Sequence, residues 1–305
     1  MTPNLVSIVI PARDQGRTLR PLLDTLRRLR PPKGWAAEII PVYTPSKDDT
    51  LQVLKDSGMR YVTCEARGAA AARNTGVKHA NGALLYFVDS DACPVGEDFL
   101  VMLVAAALKL KRFGVIGGAI ILPPRHRWNP VAIADHWVCW FNWHPKRPSQ
   151  QTRLFQPSLS IAVPRVVYDA VGGLDPAVPV LEDYELQQRI MRRGLPVFFI
   201  NKLVVTHEPR ASLVASWRHS WGWGAPFRRV YLGSNPRYPL AFPVGHRFFA
   251  LNLPFLFWRR LRLVLRAAWT NSGLQTVYAF PFIVAGVFVW TLAVIWGRDP
   301  EPPRT

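Results

Sequence analysis

The sequence predicts an α/β chain: a mostly parallel sheet flanked by helices, followed by membrane-associated helices at its C-terminal end. Three observations carry this. Short apolar runs alternate with amphipathic stretches through residues 6–121, as buried parallel strands joined by helices do. The charge is split along the chain: 38 Lys plus Arg stand against 20 Asp plus Glu, a balance of +18, yet Pro209 to Arg298 holds eleven Arg and no Asp, Glu or Lys. Finally, Ala267 to Gly297 is uncharged and Leu274 to Trp296 almost wholly apolar, enough for the ~20 residues that cross a bilayer.

The elements follow in order. Val6-Ser7-Ile8-Val9-Ile10-Pro11 reads as a buried strand ended by Pro, and Leu19, Leu22, Leu23, Leu26 and Leu29 form the stripe of a helix over 18–29. Glu38 to Tyr43 is a second strand with a helix over 48–55 behind it, and 60–63 a short third. Residues 69–79 are helical, Ala83 to Val88 a fourth strand, 99–111 a helix and Val115 to Ile121 another strand. Ligands on such sheets gather at the carboxyl ends of the strands. Two of those ends carry unusual polar residues: Arg13-Asp14 and Asp89-Ser90-Asp91.

Eleven of the twelve Trp lie at or after Trp128. Arg259, Arg260, Arg262 and Arg266 precede the apolar run, while Arg298 and Arg304 follow it with Asp299 and Glu301 between. The positive-inside bias assigns the Arg cluster to the cytosol and the tail to the far side. Pro239 to Trp258 is aromatic but broken by Pro243, Pro254 and Arg247, which suits an interfacial or re-entrant segment. The stretch 131–143 reads equally well as a bilayer contact or as a core helix over the site. The expected domains are 1–209, 210–266 and 267–305, the last a transmembrane helix with a short tail.

Composition narrows the class. The chain is too aromatic and apolar to be disordered. Cys64, Cys93 and Cys139 are odd in number and form no C-x-x-C pair, which argues against a disulfide framework or zinc site. Met1-Thr2-Pro3-Asn4 opens no signal peptide, so the N-terminal domain is expected in the cytosol. A basic balance invites a polyanion, but the Arg lie among Trp and Phe beside an apolar span with no nucleic-acid motif, favouring phospholipid headgroups over nucleic acid.

Asp89 and Asp91 end an apolar strand, a costly place for two carboxylates unless a cation or a ribose meets them. Arg73, on a helix that begins after Gly68, suits a diphosphate. Glu182 and Asp183 open another helix, where the macrodipole favours acids and where an Asp can take a proton from a hydroxyl.

Together, Ser7 to Pro11, Ala71-Ala72-Arg73-Asn74-Thr75-Gly76, Phe87-Val88-Asp89-Ser90-Asp91, Gly172-Gly173-Leu174-Asp175 and Glu182-Asp183-x-Glu185-Leu186-x-x-Arg189 resemble family 2 glycosyltransferases over residues 5–230. The resemblance implies a Rossmann-like GT-A fold and inverting sugar transfer from a nucleotide donor to a lipid or membrane-proximal acceptor. It implies that Pro11, Ala12, Arg13 and Asp14 line the nucleoside pocket with Arg73, Asp89 and Ser90 near the donor. Asp91, with Asp89 and His207, would hold Mg2+ or Mn2+; Asp183 would be the base and Glu182 its support. Arg189, Arg218, His219 and Trp221 would meet the diphosphate or acceptor. Relatives commonly place an Asp where Tyr43 stands, and a phenol does not reproduce a carboxylate, so the base of the nucleotide is left open. The Q-x-x-R-W signature of processive relatives is absent from 212–218, which favours single-sugar transfer. The competing class is an inactive GT-A-like protein binding anionic membrane or nucleic acid. A Rossmann oxidoreductase is disfavoured because no G-x-G-x-x-G follows the first strand.

Overall fold

A computed structural model describes residues 1–228 and 240–298. The described residues divide into a sheet unit, Met1–Ile120 with Arg147–His207, and a helical unit, Ile121–Lys146 with those described between Glu208 and Arg298. The helical unit therefore draws in a stretch from the middle of the sequence. Pro239, Asp299, Glu301 and Arg304, which entered the membrane reading, lie outside the described residues.

The sheet unit begins with β1 (Thr2–Ala12), α1 (Gly16–Arg28), β2 (Ala36–Tyr43), α2 (Thr50–Asp56), β3 (Val62–Thr63), α3 (Ala69–Lys78) and β4 (Gly82–Val88). It continues with β5 (Ala92–Pro94), α4 (Phe99–Leu110), β6 (Val115–Ile121), β7 (Gln150–Thr152), β8 (Ser160–Pro164), α6 (Arg165–Ala170), α7 (Glu182–Arg192) and β9 (Val197–His207). Among the described residues the sheet runs β3-β2-β1-β4-β8-β6-β9-β5, with β7 on β9. The block β3-β2-β1-β4 is parallel, while β4–β8, β6–β8, β5–β9 and β7–β9 are antiparallel. The sheet is thus mixed. Both parts mix lengths: β1, β2 and β4 are long in the parallel block and β6 and β9 in the antiparallel part, while β3, β5 and β7 have two or three residues.

Local chemistry explains the placements. Leu19, Leu22, Leu23 and Leu26 of α1 are all buried, so the apolar stripe is the face that meets the core. On α3, a side chain at Gly76 would come within 2.4 Å of Val9 and 2.9 Å of Val42. Glycine there lets the helix lie close on β1 and β2, which fixes where Arg73, one turn earlier, emerges. Register does the rest. Val88 of β4 lies opposite Ser160 of β8, and Ala92, just past the acidic turn, lies opposite His207 of β9.

The helical unit contains α5 (Pro130–Trp140), α8 (Leu213–Phe227), α9 (Leu253–Ser272) and α10 (Leu274–Trp296). Asn129 caps α5, its side chain accepting from Ala132 N at 3.0 Å. The Trp-rich stretch resolves as core: Trp137, Trp140, Phe141 and Trp143 are buried, with Trp137 and Phe141 among residues of α9 and α10. After Pro239, the chain passes through a 3-10 turn at Phe249–Asn252 and enters α9, which continues beyond the expected boundary at 266. One described helix, α10, is long and apolar enough to cross a membrane; about half of its most apolar stretch is buried inside the unit, where it packs on α5, α8 and α9.

Candidate active site

Arg73 is the centre of the sheet unit's polar cluster. It is 2% exposed; Nη2 donates to Asp89 Oδ1 at 2.6 Å and Nη1 to Glu182 Oε1 at 2.6 Å. Burial alone would depress a guanidinium, but the charges of Asp89, Glu182 and Asp183 outweigh it and hold Arg73 protonated above its ordinary range. One cation therefore ties the acidic turn after β4 to the acidic start of α7.

Asp183 lies beside this bridge and is 5% exposed. Its Oδ2 accepts from Ser158 N at 2.8 Å and its Oδ1 from Tyr184 N at 2.7 Å. Burial first, and the charge of Glu182 second, raise its pKa to about 7 against the pull of those N–H groups and Arg73. Leu181, immediately before the acidic pair, is held at φ +65°, a left-handed conformation that costs a non-glycine residue about 1–3 kcal/mol. Asp14, at the carboxyl end of β1, also has positive φ, +52°.

Asp91 and His207 approach from the turn after β4 and the end of β9. Asp91 Oδ2 is 3.6 Å from His207 Nε2, and both side chains are largely buried. At the ends of β1 and β2, Asp14 N donates to Ser46 Oγ at 3.0 Å and Lys47 N donates to Asp14 Oδ1 at 2.7 Å. Tyr43 stands opposite Ala12 in the parallel register, and its hydroxyl accepts from Ser46 N at 3.2 Å. Ser90 is buried in the acidic turn.

Several sequence candidates lie elsewhere. Arg189 is spent on structural contacts: Nε and Nη2 donate to Glu185 one turn earlier, Nη2 also to Gly173 O at 2.7 Å, and Nη1 to Val171 O. It fastens α7 to the Gly172-Gly173 turn. Arg218, His219 and Trp221 belong to α8 in the helical unit, with Arg218 and Trp221 exposed. His219 Nδ1 is 2.9 Å from Asp135 Oδ1, and its Nε2 accepts from Trp223 Nε1 at 3.0 Å. An indole only donates, so the ring proton sits on Nδ1 and faces Asp135.

Sequence reasoning missed Asp135 and Ser158. Asp135, Cys139 and His219 bring ligand-type atoms within 4.8 Å of one another, but with both ring nitrogens of His219 engaged, this set is a polar tie inside the helical core. An acid within the apolar run Ile133 to Trp137 was the available signal. Ser158 acts through its backbone N–H, which no residue type announces.

A parallel block that ends on β4 and its acidic turn, with a second acidic pair at the start of a helix, is an arrangement of the GT-A class of fold. Solved structures have the same fold. A mannosyltransferase from Pyrobaculum calidifontis, solved with GDP-Man and Mn2+, superposes with a TM-score of 0.59 at 18% identity over 96% of this chain and 88% of that one. S. aureus TarS 1-349 gives 0.53 at 14% identity over 96% and 92%. The family model for glycosyl transferase family 2 matches residues 7–163, and this chain belongs to that family. A 95-residue stretch is 30% identical to the glycosyltransferase AglE of Haloferax volcanii, covering 29% of this chain and 31% of AglE. The match thus spans about a third of that relative's length.

Proposed function

We propose that the chain transfers a single sugar, with inversion, from a nucleotide-sugar donor to a hydroxyl of a lipid or membrane-proximal acceptor at the cytosolic face of a membrane. The Arg73 bridge carries this reading, because it gathers two kinds of carboxylate at one strand end. Asp89 is neutralised by Arg73 and suited to a ribose or cation. Asp183 is buried with its pKa near 7 and suited to accept a proton at neutral pH. The acceptor oxygen attacks the anomeric carbon, the bond to the diphosphate breaks, and the hydroxyl proton passes to Asp183. Ser158 N–H and Tyr184 N–H hold that carboxylate in place, and Glu182 is positioned by Arg73.

The residues fit Mg2+ or Mn2+: Asp91 and His207 offer a carboxylate oxygen and an imidazole nitrogen 3.6 Å apart, and hard cations of this kind take one or two carboxylates with substrate phosphates. Asp91 and His207 would hold the ion with Asp89, and it would supply positive charge to the departing diphosphate. The Pyrobaculum enzyme with GDP-Man and Mn2+ and TarS with UDP-GlcNAc support a nucleotide-sugar donor of either base. Residues 11–14 and Tyr43 then line the nucleoside end.

Asp183→Asn tests the base. Donor affinity in calorimetry should be nearly unchanged while turnover falls about 10²–10⁴-fold; near-normal transfer would remove Asp183 from the mechanism. A thermal-shift screen of nucleoside diphosphates with and without Mn2+ identifies the donor class, and no response to any of them sinks the proposal.

A further inference from the structure

By length and composition α10 could cross a bilayer, but α9 runs beside it. Gly273 alone separates the two helices. Leu261, Val264 and Ala268 of α9 cluster with Ala279, Ile283 and Val287 of α10, and Leu256 clusters with Trp290 and Val294. The helices therefore pack antiparallel along most of the ~30 Å that twenty residues span. A crossing α10 would carry Arg259, Arg260, Arg262 and Arg266 into the hydrocarbon, where each arginine near the centre weakens insertion roughly a hundredfold.

Arg260 is turned inward, with its guanidinium 3.6 Å from the Trp290 ring centroid and Nη2 donating to Val138 O at 2.7 Å. The other three line a groove of about 1220 Å³ between α9 and α10. Their spacing, three and then four residues, places them on one helix face. Phe255, Trp258, Trp269, Val277 and Phe280 supply the apolar wall, and all five are exposed, an apolar surface of the kind that marks an interaction site.

Charge identifies the occupant. The described acids of the helical unit are Asp135 and Glu208. Asp135 accepts from Arg210 N and faces His219; Glu208 pairs with Arg125 and His126. Neither described acid lines the groove, and exposed Arg262 and Arg266 suit an anionic occupant.

The geometry points to a membrane-docking site: the α9–α10 groove takes the acyl chains and phosphate headgroup of an anionic phospholipid, and the helical unit lies in one leaflet instead of crossing it. Exposed tryptophans beside arginines on an amphipathic face match residues that settle at the water–lipid boundary. The inference rests on the proposed membrane location and is independent of sugar transfer.

The test uses the full chain with an epitope after Thr305, bound to vesicles of phosphatidylglycerol or phosphatidylcholine. Protease added outside intact vesicles should remove the epitope; protection until detergent is added would establish crossing and overturn the proposal. Co-flotation should favour phosphatidylglycerol and persist in millimolar inorganic phosphate. Arg262→Gln/Arg266→Gln should weaken it by about fivefold per residue and about thirtyfold together, while exposed Arg28→Gln/Arg60→Gln in the sheet unit should not. Equal binding to both lipids, or equal loss from both double variants, overturns the headgroup site. Nucleotide binding without vesicle docking defeats this inference alone, and docking without nucleotide binding defeats the transfer proposal alone.

Discussion

The two units hold their inward-turned arginines in different ways. In the sheet unit, a buried arginine is neutralised by acids from two elements, Asp89 after β4 and Glu182 at the start of α7. In the helical unit, partly buried Arg260 stacks on the Trp290 ring and donates to Val138 O. The first arrangement concentrates carboxylates where chemistry can use them. Beside the second, Arg262 and Arg266 of the same helix stand exposed. Stability and reactivity are therefore tied together in one unit and separate in the other.

The largest expected effect strikes that tie. Arg73→Met should lower the unfolding free energy by about 3–5 kcal/mol, because buried carboxylates lose their cation; a drop below 1 kcal/mol in denaturant titration would show that the bridge is not what steadies Asp89 and Glu182. Ile133→Ala, fully buried in the helical core, should cost about 2–4 kcal/mol. It should leave the acidic limb of the pH–rate profile in place, and movement of that limb would erase the contrast between the units.

The pH prediction is smaller and has two signs. With Asp183 near 7 against an ordinary 3.8, the folded chain holds a proton that the unfolded chain has released between those values. Asp183's contribution therefore makes stability fall as pH rises through that window, by at most about 1.4 kcal/mol per unit. Activity runs the other way: below about pH 7, kcat/KM should drop roughly tenfold per unit as the base is protonated. A flat profile from pH 5 to 8 would contradict the raised pKa. Smallest is Asn129→Ala, which removes a helix cap and should cost about 1 kcal/mol by thermal melting, with donor affinity untouched.

Legibility from sequence followed the range of the interactions. β1, β4, α1 and α3 showed because their apolar periods are local, and Asp89, Asp91, Glu182 and Asp183 showed because acids at strand and helix ends stand out. The three-residue strands β5 and β7 did not, since long-range pairing alone defines them. Arg189 looked like a ligand for a diphosphate, yet its i−4 partner Glu185 was already in view and claims it. The 131–143 stretch had two equal readings because its Trp and Phe suit either lipid or protein as surroundings, and Asp135 within it was the residue that bore on the choice. The apolar run at 274–296 was read as a transmembrane helix, a core helix being the weaker alternative at that length, and the arginines of α9 packed alongside it are what bear on that reading.

The position of α10 bears on how the enzyme could be shortened. A reader of the sequence would cut before Leu274 to shed an anchor and gain a soluble catalyst. That cut removes Ile283, Val287 and Trp290 from the interior of the helical unit and strips the cover from α5 and α8. The truncated product should aggregate for want of a core, and milder solubilisation would come from replacing the exposed Trp258, Trp269 and Val277 with polar residues while keeping every helix.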